Sequence, residues 1–342
     1  MDLTSRPMKP KNMIWIPGGS FLMGSNDFYV EERPVHTVTV GAFWMDQHPV
    51  TVAEFRRFIK ATNHITMAER TPDPVDFPDA EPGQLVPGSL VFTPPAGSVR
   101  LGDFRNWWSW VPGAQWRHPQ GPGSTLHGLD QHPITHVAYP DAVAYAKWAG
   151  KALPTEAEWE FAARGGLEGA TYAWGDEFAP RGRMMANTWQ GDFPVHNDLL
   201  DGYERTSPIG KFPPNGYGLV DIVGNVWEWT CQDYTSSHTG AADTSDVVQA
   251  APGPVMCCGP ERQPTTALSP QPPASPPSTK VIKGGSHLCA PNYCLRYRPA
   301  ARQSQTIDTS TSHLGFRCIV RPRRWKAARP VGQGLLPRHR DA

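Results

Sequence analysis

Two short segments of the chain have the polar and apolar spacing of β-strands. Residues 13–19 form an apolar run that ends in a Pro-Gly-Gly turn, and residues 36–40 alternate polar with apolar side chains. A period of two places successive side chains on opposite faces of a sheet. We predict a strand in each segment, both at sheet edges.

A third segment has the spacing of a helix. Thr51 precedes Glu54 by three positions, which is the pattern of a capping box. Apolar residues then recur on one helix face, namely Phe55, Phe58 and Ile59. This spacing predicts a helix over about residues 52–61.

Two further helices follow in the middle of the chain. Pro140 suits a first helical turn, residues 142–148 are good helix formers, and Gly150 ends the segment. Thr155 and Glu158 form another capping box, before a helix that Gly165-Gly166 ends. Three short helices among short strands and long loops favour an α+β fold with little regular secondary structure over a parallel βαβ array.

Residues 71–125 have no sustained periodicity and are rich in proline and glycine. They contain four tryptophans, Trp107, Trp108, Trp110 and Trp116. We interpret this stretch as a long ordered loop that its tryptophans attach to the core, rather than as a binding surface.

The rest of the chain suggests one loop-rich domain at residues 13–320. Residues 1–12 form an extension before it, and residues 321–342 form a basic tail that is expected to be solvated. Residues 235–280 are rich in Ser, Pro, Ala and Thr and are predicted to be an exposed insertion, flexible in part. The Cys257-Cys258 pair inside it is interpreted as incidental.

Composition excludes several classes of partner. The 32 Lys and Arg residues equal the 32 Asp and Glu residues, so no overall charge favours nucleic acid or an anionic membrane. No apolar run has the length of a signal peptide or of a membrane helix. The sequence therefore predicts a cytoplasmic protein with neither a nucleic-acid nor a membrane partner, and we expect a monomer.

Two of the six cysteines, Cys289 and Cys294, are five positions apart. On a helix they would lie about 140° apart, and on a strand they would point to opposite faces. Pro291 between them indicates a loop that can turn both sulfurs the same way. Arg296 and Arg298 follow closely, and we expect them to favour the thiolate form.

Spacing alone leaves three interpretations of this pair. The first is a local disulfide or two unrelated buried thiols. A zinc site is the second, although no further Cys-x-x-Cys or His-x-His set supplies the remaining ligands. The third is a Cu(I) site, because thiolates select soft monovalent copper.

The residues around the pair resemble a known family. The run KGGSHLCAPNYCLRYRPAAR and the later DTSTSHLGFRC are similar to the active-site region of formylglycine-generating enzymes, the catalytic branch of the sulfatase-modifying-factor family. Further segments are similar in family order, including MIWIPGGSFLMGS, VPGSLVFTPP, KALPTEAEWEFAARGG, ANTWQGDFP and PPNGYGLVDIVGNVWEW. The resemblance implies a single domain of the formylglycine-generating-enzyme fold, within the C-type-lectin-like superfamily.

The resemblance also implies a reaction. Cys289 and Cys294 would hold Cu(I) between two sulfurs, leaving room for the thiolate of a substrate cysteine. That cysteine would belong to a Cys-x-Pro-x-Arg motif of a sulfatase. With O2 and a thiol reductant it would become Cα-formylglycine and release sulfide. A closed four-ligand site would leave no position for the substrate.

Three more residues match positions near the family active site. Ser286 matches a serine that hydrogen-bonds near the oxygen or substrate pocket, and Trp227 matches a tryptophan that lines the pocket. His313 replaces an asparagine of some relatives, and no role is assigned to it. Cys318 loses its disulfide partner, because the positions used by secretory relatives align with Ala146 and Ala163.

Calcium is implied by the same resemblance, in a structural role. One site would use Asn187, Asp201 and the backbone of Thr188 and Tyr203. A second would use side-chain and backbone groups of Asp221, Gly224, Val226 and Glu228. Carboxylate, amide and carbonyl oxygens on loops suit calcium, whereas Asn and Asp near glycine more often serve turns and caps.

Two alternatives from other classes stay open. One is a non-catalytic peptide- or sugar-binding module on the same scaffold, which would not need the cysteine pair. The other is an iron-dependent sulfur-transfer enzyme, whose additional helical domain this chain lacks. Fold resemblance alone does not establish activity.

Overall fold

The structure is a computed structural model that describes residues 10–75, 85–238 and 278–322. Most of the predicted extension, almost all of the tail, most of the insertion and the Cys257-Cys258 pair lie outside these ranges. The strands are β1 Met13–Ile16, β2 Gly19–Met23, β3 His36–Val40, β4 Phe43–Asp46, β5 Gly88–Phe92, β6 Trp108–Pro112, β7 Trp227–Asp233, β8 Thr279–Lys283, β9 Arg302–Thr306, β10 Leu314–Gly315 and β11 Ile319–Val320. The α-helices are α1 Val52–Thr62, α2 Tyr139–Trp148 and α3 Glu156–Arg164.

The three predicted helices and the two predicted strands are confirmed. Both capping boxes form: the Thr51 hydroxyl accepts the Glu54 N–H at 3.2 Å, and the Thr155 hydroxyl accepts the Glu158 N–H at 3.2 Å. Gly165 ends α3 in a left-handed conformation, φ 60°. A side-chain cap and a glycine stop are local signals, so these boundaries can be read from the sequence.

Within the described ranges the strands form four small sheets. One sheet has the order β1-β4-β11 and another the order β10-β7-β8-β9, in which β10 runs parallel to β7. The pairs β2-β3 and β5-β6 make two-stranded sheets. β1 and β3 therefore lie at edges, as predicted, and the mixed small sheets confirm the α+β class.

The prediction of a long irregular loop at residues 71–125 was incomplete. β5 and β6 form a hairpin inside it. Trp107, Trp108 and Trp116 are buried, as expected for residues that hold this region to the core, but Trp110 is 45% exposed.

Buried ion pairs join α3 to the four-stranded sheet. The Lys283 ammonium at the end of β8 lies 2.9 Å from Glu160 and 3.6 Å from Glu156, and Arg164 lies 2.7 Å from Glu160. Burial opposes ionisation of Glu160, but Lys283 and Arg164 outweigh it and lower the pKa of Glu160 to about 2. The network fixes the end of β8, where the cysteine-bearing loop begins. In the described part of the chain, no helix is long and apolar enough to cross a membrane.

Candidate functional site

The cysteine-bearing loop leaves β8 through two glycines in the left-handed region. Gly284 has φ 94° and Gly285 has φ 67°. A Cβ on Gly285 would lie 2.9 Å from the backbone of Arg296. Only glycine allows the two arms of the loop to approach this closely, because it avoids both the clash and the strained φ.

The loop brings the two sulfurs together. Cys289 Sγ lies 3.1 Å from Cys294 Sγ, and both side chains are fully buried. A turn produces this arrangement: the Cys294 N–H donates to the Ala290 carbonyl at 2.8 Å, and the Cys289 N–H to the Ser286 carbonyl at 3.0 Å. The separation exceeds the roughly 2.05 Å of a disulfide, so the two sulfurs are not bonded to each other. Cys289 is a free thiol, whereas Cys294 is disulfide-bonded.

The expectation that the nearby arginines favour a thiolate holds in direction for Arg296, but burial outweighs it. Burial raises the pKa of the Cys289 thiol to about 11, and the opposing influence of Ser286 and Arg296 is smaller. Arg296 is paired with Glu31 at 2.6 Å, and Arg298 with Glu32. Cys289 is a free thiol, and its raised pKa favours the protonated form.

Ser286 and His313 form a hydrogen-bonded pair beside the cysteines. The Ser286 hydroxyl lies 2.9 Å from His313 Nδ1 and accepts the Leu288 N–H at 3.2 Å. The Ser286 N–H points to Cys289 Sγ at 3.4 Å. Burial holds the pKa of His313 well below its usual value, so the imidazole is neutral.

Trp227, on β7, is fully buried and donates its backbone N–H to the His313 carbonyl at 2.9 Å. Its indole N–H has no partner in the described part of the chain. Trp227 thus contacts the Ser286–His313 pair through its backbone hydrogen bond to His313.

A cavity of about 450 Å³ lies next to the loop. Its lining includes Trp189, His287, Leu288 and Ser312, and its far wall is mainly apolar, with Trp116, Pro119, Leu126, Leu129, Val195 and Leu199. Leu288, the neighbour of Cys289 in the chain, lines the cavity, whereas neither cysteine is among the lining residues.

Two aromatic residues of the segment ANTWQGDFP, Trp189 and Phe193, also hold the loop, although the sequence assigned neither of them a role. The Trp189 N–H donates to the Cys289 carbonyl at 3.0 Å. Phe193 stacks on Tyr293 with ring centroids 4.6 Å apart. These contacts hold the cysteine-bearing loop against residues 189–193. No periodicity in the sequence predicts them.

The residues of the first predicted calcium site lie together. Asp201 accepts the backbone N–H groups of Thr188 at 3.0 Å and Tyr203 at 2.9 Å, and burial raises the pKa of Asp201. Asn187 donates to the Arg205 carbonyl, but its own side-chain oxygen is buried and has no partner among the described residues. An orphaned amide oxygen and a half-buried carboxylate in the same loop region fit a hard cation.

The second predicted calcium set fits less well. Asp221 accepts the Gly210 N–H at 2.6 Å, and Gly224 and Val226 lie in the loop before β7. Both oxygens of Glu228, however, accept from Arg317 at 2.9 and 2.8 Å, and one also accepts from Trp159 at 2.7 Å. The Glu228 carboxylate is saturated by this ion pair. Over residues 10–75, 85–238 and 278–322, no group of three or more His, Cys, Asp or Glu is arranged to hold a metal ion.

Comparison with known proteins agrees with this arrangement. The sequence model of the "Sulfatase-modifying factor enzyme 1-like domain" family matches residues 2–322. The chain is 53% identical over 310 residues to the formylglycine-generating enzyme of Mycobacterium tuberculosis, covering 91% of this chain and 98% of the relative. It is 42% identical to the formylglycine-generating enzyme of Bos taurus, covering 92% and 76%.

Two further similarities qualify that result. An "Inactive C-alpha-formylglycine-generating enzyme 2" of Bos taurus is 36% identical, with 94% of this chain and 90% of the relative covered. The structure of PvdO from Pseudomonas aeruginosa aligns with a TM-score of 0.55 at 24% identity, covering 90% of this chain and 93% of the other. The structural similarity shows the fold alone, and relatives named active and inactive both match most of the chain.

Proposed function

Because the chain belongs to the sulfatase-modifying factor enzyme 1-like family, we propose that it is an oxidase that converts a cysteine of a sulfatase polypeptide to Cα-formylglycine. The observation that carries this proposal is the pair of buried sulfurs, Cys289 and Cys294, 3.1 Å apart. Fold similarity does not decide whether this chain is an active enzyme, because relatives named as active and as inactive share the fold. A pair of neighbouring sulfurs bears on that question directly, because it could bind a metal ion.

The overall reaction balances with O2 and a thiol reductant. One substrate thiol, R–CH2–SH, reacts with one O2 and two reductant thiols, R′SH. The products are one aldehyde, R–CHO, one hydrogen sulfide, one water and one disulfide, R′S–SR′. Two electrons come from the substrate carbon and two from the reductant. The C–S bond breaks, and the sulfur leaves as sulfide.

The donor set beside the cavity suits Cu(I). Cys294, which is disulfide-bonded in this structure, would have to be reduced first, and both donors would then be soft sulfurs. Of the neighbouring imidazoles, His287 Nδ1 lies 2.8 Å from the Asn225 carbonyl and His313 Nδ1 lies 2.9 Å from Ser286, whereas His313 Nε2 is buried without a partner among the described residues. Such a set favours a soft monovalent ion over zinc or calcium. Bound there by Cys289 and Cys294, copper would supply the reduction of O2.

The chain's own residues would orient the substrate. The cavity beside Leu288 has the size of a short peptide segment, and its lining combines apolar side chains with polar and charged ones, among them Glu204 and Arg205. The Ser286 hydroxyl accepts the Leu288 N–H and contacts His313, so it orients Leu288, which lines the cavity. Since His313 is neutral, it adds no charge that would repel an incoming ion.

We also propose a structural calcium ion at Asn187, Thr188, Asp201 and Tyr203. The orphaned Asn187 oxygen and the half-buried Asp201 carboxylate support it. At Asp221, Gly224, Val226 and Glu228 the saturated Glu228 carboxylate does not support a second ion. We also propose a reducing, cytoplasmic environment; the free thiols of Cys231, Cys289 and Cys318 support it, whereas the disulfide-bonded Cys294 does not.

Mass spectrometry of a peptide tests the proposal. The Cu(I)-loaded protein is incubated with a peptide containing Leu-Cys-Thr-Pro-Ser-Arg, O2 and a thiol reductant, and the aldehyde is trapped with a hydroxylamine. We expect copper-dependent aldehyde formation that Cys289→Ala abolishes and that Cys231→Ala, a matched thiol on β7, leaves intact.

Two outcomes would contradict the proposal. Aldehyde formation without copper would show that the reaction does not need the metal and would contradict the copper part of the proposal. No aldehyde from folded, copper-loaded protein, together with measurable peptide binding, would favour the binding-module alternative.

A further inference from the structure

The hairpin of β5 and β6 has two edges, and its pairing pattern fixes which backbone groups lie on them. In an antiparallel pair, residues that exchange hydrogen bonds with the partner strand alternate with residues whose N–H and C=O face away from it. At one end of the hairpin the Thr93 N–H donates to the Trp107 carbonyl at 2.9 Å. At the other end the Gly113 N–H donates to the Pro87 carbonyl at 2.9 Å. The odd-numbered residues of β6 therefore face β5, and the even-numbered residues face away from it.

The outer edge of β5 is paired, whereas that of β6 is open at Trp110. Leu90, the cross-strand partner of Trp110, donates its N–H to the Ser310 carbonyl at 3.3 Å and accepts the Ser312 N–H at 3.0 Å. Trp110 directs its own N–H and C=O to the opposite side of the hairpin. Among residues 10–75, 85–238 and 278–322, neither group has a hydrogen-bond partner outside the hairpin.

The side chains of β6 do not protect this edge. Native edge strands are usually blunted by charged side chains or covered by other elements, but the sequence WSWVP of β6 contains no charge. Its Pro112 is typical of an edge strand, because proline has no N–H to pair. The Trp110 side chain is 45% exposed and lies across Gly88 of β5, where an added Cβ would come within 3.0 Å of its indole nitrogen. The indole is thus held in place beside an open strand edge.

The open edge begins at the cysteine-bearing loop. The Trp107 ring lies 5.3 Å from the ring of Tyr293, which stands between the two cysteines in the sequence. The Trp108 ring lies 4.8 Å from the ring of His313, the partner of Ser286. A strand advances about 3.3 Å per residue, so Trp110 lies about 10 Å along β6 from Trp107. A segment paired with Trp110 would bring a residue two or three positions away next to the loop.

We propose that the open edge of β6 pairs with an extended segment of the substrate polypeptide, which exchanges two main-chain hydrogen bonds with Trp110. The identity of the segment rests on the proposed function, but the pairing depends neither on copper nor on the redox state of the cysteines. Main-chain hydrogen bonds supply affinity in this mode of recognition, and contacts to alternate side chains supply specificity. The mode suits a site that must receive one cysteine in an extended backbone.

Residue-resolved hydrogen exchange tests the pairing directly. The probe is a peptide containing Leu-Ser-Thr-Pro-Ser-Arg, in which serine replaces the cysteine so that no sulfur chemistry with Cys289 follows. In the free protein the Ser109 and Val111 amides should be protected by β5, and the Trp110 amide should exchange fast. Peptide at ten times its Kd should slow exchange at Trp110 about tenfold and leave Ser109 and Val111 nearly unchanged.

Two substitutions at one position separate the backbone from the indole. Trp110→Val removes the indole and keeps the N–H, whereas Trp110→Pro removes both. Proline is compatible with this position because the Trp110 N–H faces away from β5. We expect Trp110→Pro to bind the peptide about tenfold more weakly than Trp110→Val, measured by fluorescence anisotropy. Trp148→Val, which removes a 42% exposed tryptophan of α2, is the matched control and should keep the wild-type Kd.

N-methylated peptides give a test on the unmodified protein, in case Trp110→Pro loses its native near-UV circular dichroism. Successive N–H groups of a strand point to opposite sides. N-methylation of the paired residue should therefore weaken binding to the wild type about tenfold, and N-methylation of its two neighbours should not. The same loss at all three residues, or at none, would contradict pairing with a strand edge.

The outcomes separate this pairing from the proposed function. Peptide binding without slower exchange at Trp110, or equal Kd values for folded Trp110→Val and Trp110→Pro, would overturn the pairing alone. Slow exchange at Trp110 in the free protein would also overturn it, and a dependence of that protection on protein concentration would assign the edge to a second copy of the chain. A wild-type protein that binds no peptide would overturn the proposed substrate, and the pairing with it.

Discussion

Replacement of Lys283 by methionine should destabilise the fold strongly. Lys283 is the last residue of β8, and its side chain is fully buried. Methionine has a similar length and an apolar body, so Lys283→Met removes the ammonium with little change in volume. The change leaves the Glu160 and Glu156 carboxylates with one cation fewer.

The structure sets the size of the effect. Glu160 remains buried and keeps Arg164 at 2.7 Å and the Gly24 N–H at 2.8 Å, and Glu156 keeps Arg302 at 2.7 Å. Removing one partner of a buried ion pair costs about 3–5 kcal/mol. Because both carboxylates retain an arginine, we expect a loss near the lower end, about 3 kcal/mol of the free energy of unfolding.

Urea unfolding followed by tryptophan fluorescence measures this loss. Lys280→Met is the matched control, since Lys280 lies on the same strand but pairs with Asp233, whose side chain is 78% exposed. An exposed pair contributes about 0–1 kcal/mol. Adding Glu160→Gln to Lys283→Met should restore part of the stability, because it removes the carboxylate that lost a partner.

The pH dependence gives an independent check. The pKa of Glu160 is about 2 in the folded protein and near 4.5 ordinarily. Its stabilising contribution is therefore complete above pH 4.5 and is lost as the pH falls toward 2. Equal stabilities of Lys283→Met and Lys280→Met would refute the reasoning.

Three further predictions concern the site and its surroundings. Cys294→Ala should abolish aldehyde formation and leave near-UV circular dichroism native-like; turnover at the wild-type rate would count against the copper site. Burial lowers the pKa of His136 and of His287 to about 4 from an ordinary 6.5. These two groups should therefore leave the free energy of unfolding unchanged above pH 6.5. As the pH drops from 6.5 toward 4, each should lower it by up to about 1.4 kcal/mol per pH unit. If the free energy of unfolding of a His136→Gln variant, measured in urea, shows the same pH dependence as that of the wild type, the prediction for His136 is contradicted. Calcium should raise the melting temperature of the wild type more than that of Asp201→Asn, measured by thermal shift with and without a chelator, and an equal rise in both would argue against an ion at that loop.

Local signals in the sequence predicted the helices well. Thr51 with Glu54, and Thr155 with Glu158, cap their helices through contacts three residues apart, and Gly165 supplies the stop. These contacts depend on neighbours in the chain, so the sequence pattern contains them. The loop that brings Cys289 and Cys294 together also follows from local residues, because Pro291 and the two preceding glycines determine where it turns.

Long-range pairing explains most of what the sequence did not reveal. β6 escaped prediction because its side chains do not alternate cleanly between apolar and polar, and its register is fixed by β5. The raised pKa of Cys289 could not be predicted because it comes from burial in the folded protein, which outweighs the influence of Arg296. The partner of Arg296, Glu31, lies 265 positions away in the chain. The ion pair of Glu228 could not be read from the sequence for a similar reason, since its partner Arg317 is 89 positions away.

The pairing of β11 with β4 has a consequence for biosynthesis. The Cys318 N–H donates to the Asp46 carboxylate, 272 positions away in the chain. Glu31 and Glu32 are separated from their partners Arg296 and Arg298 by a similar distance, 265 and 266 positions. A ribosome makes the chain from its N-terminus, so β4 emerges well before the strand that completes its sheet. The two-sulfur loop therefore reaches its final geometry only after residues 296–298 have been synthesised and have left the ribosome.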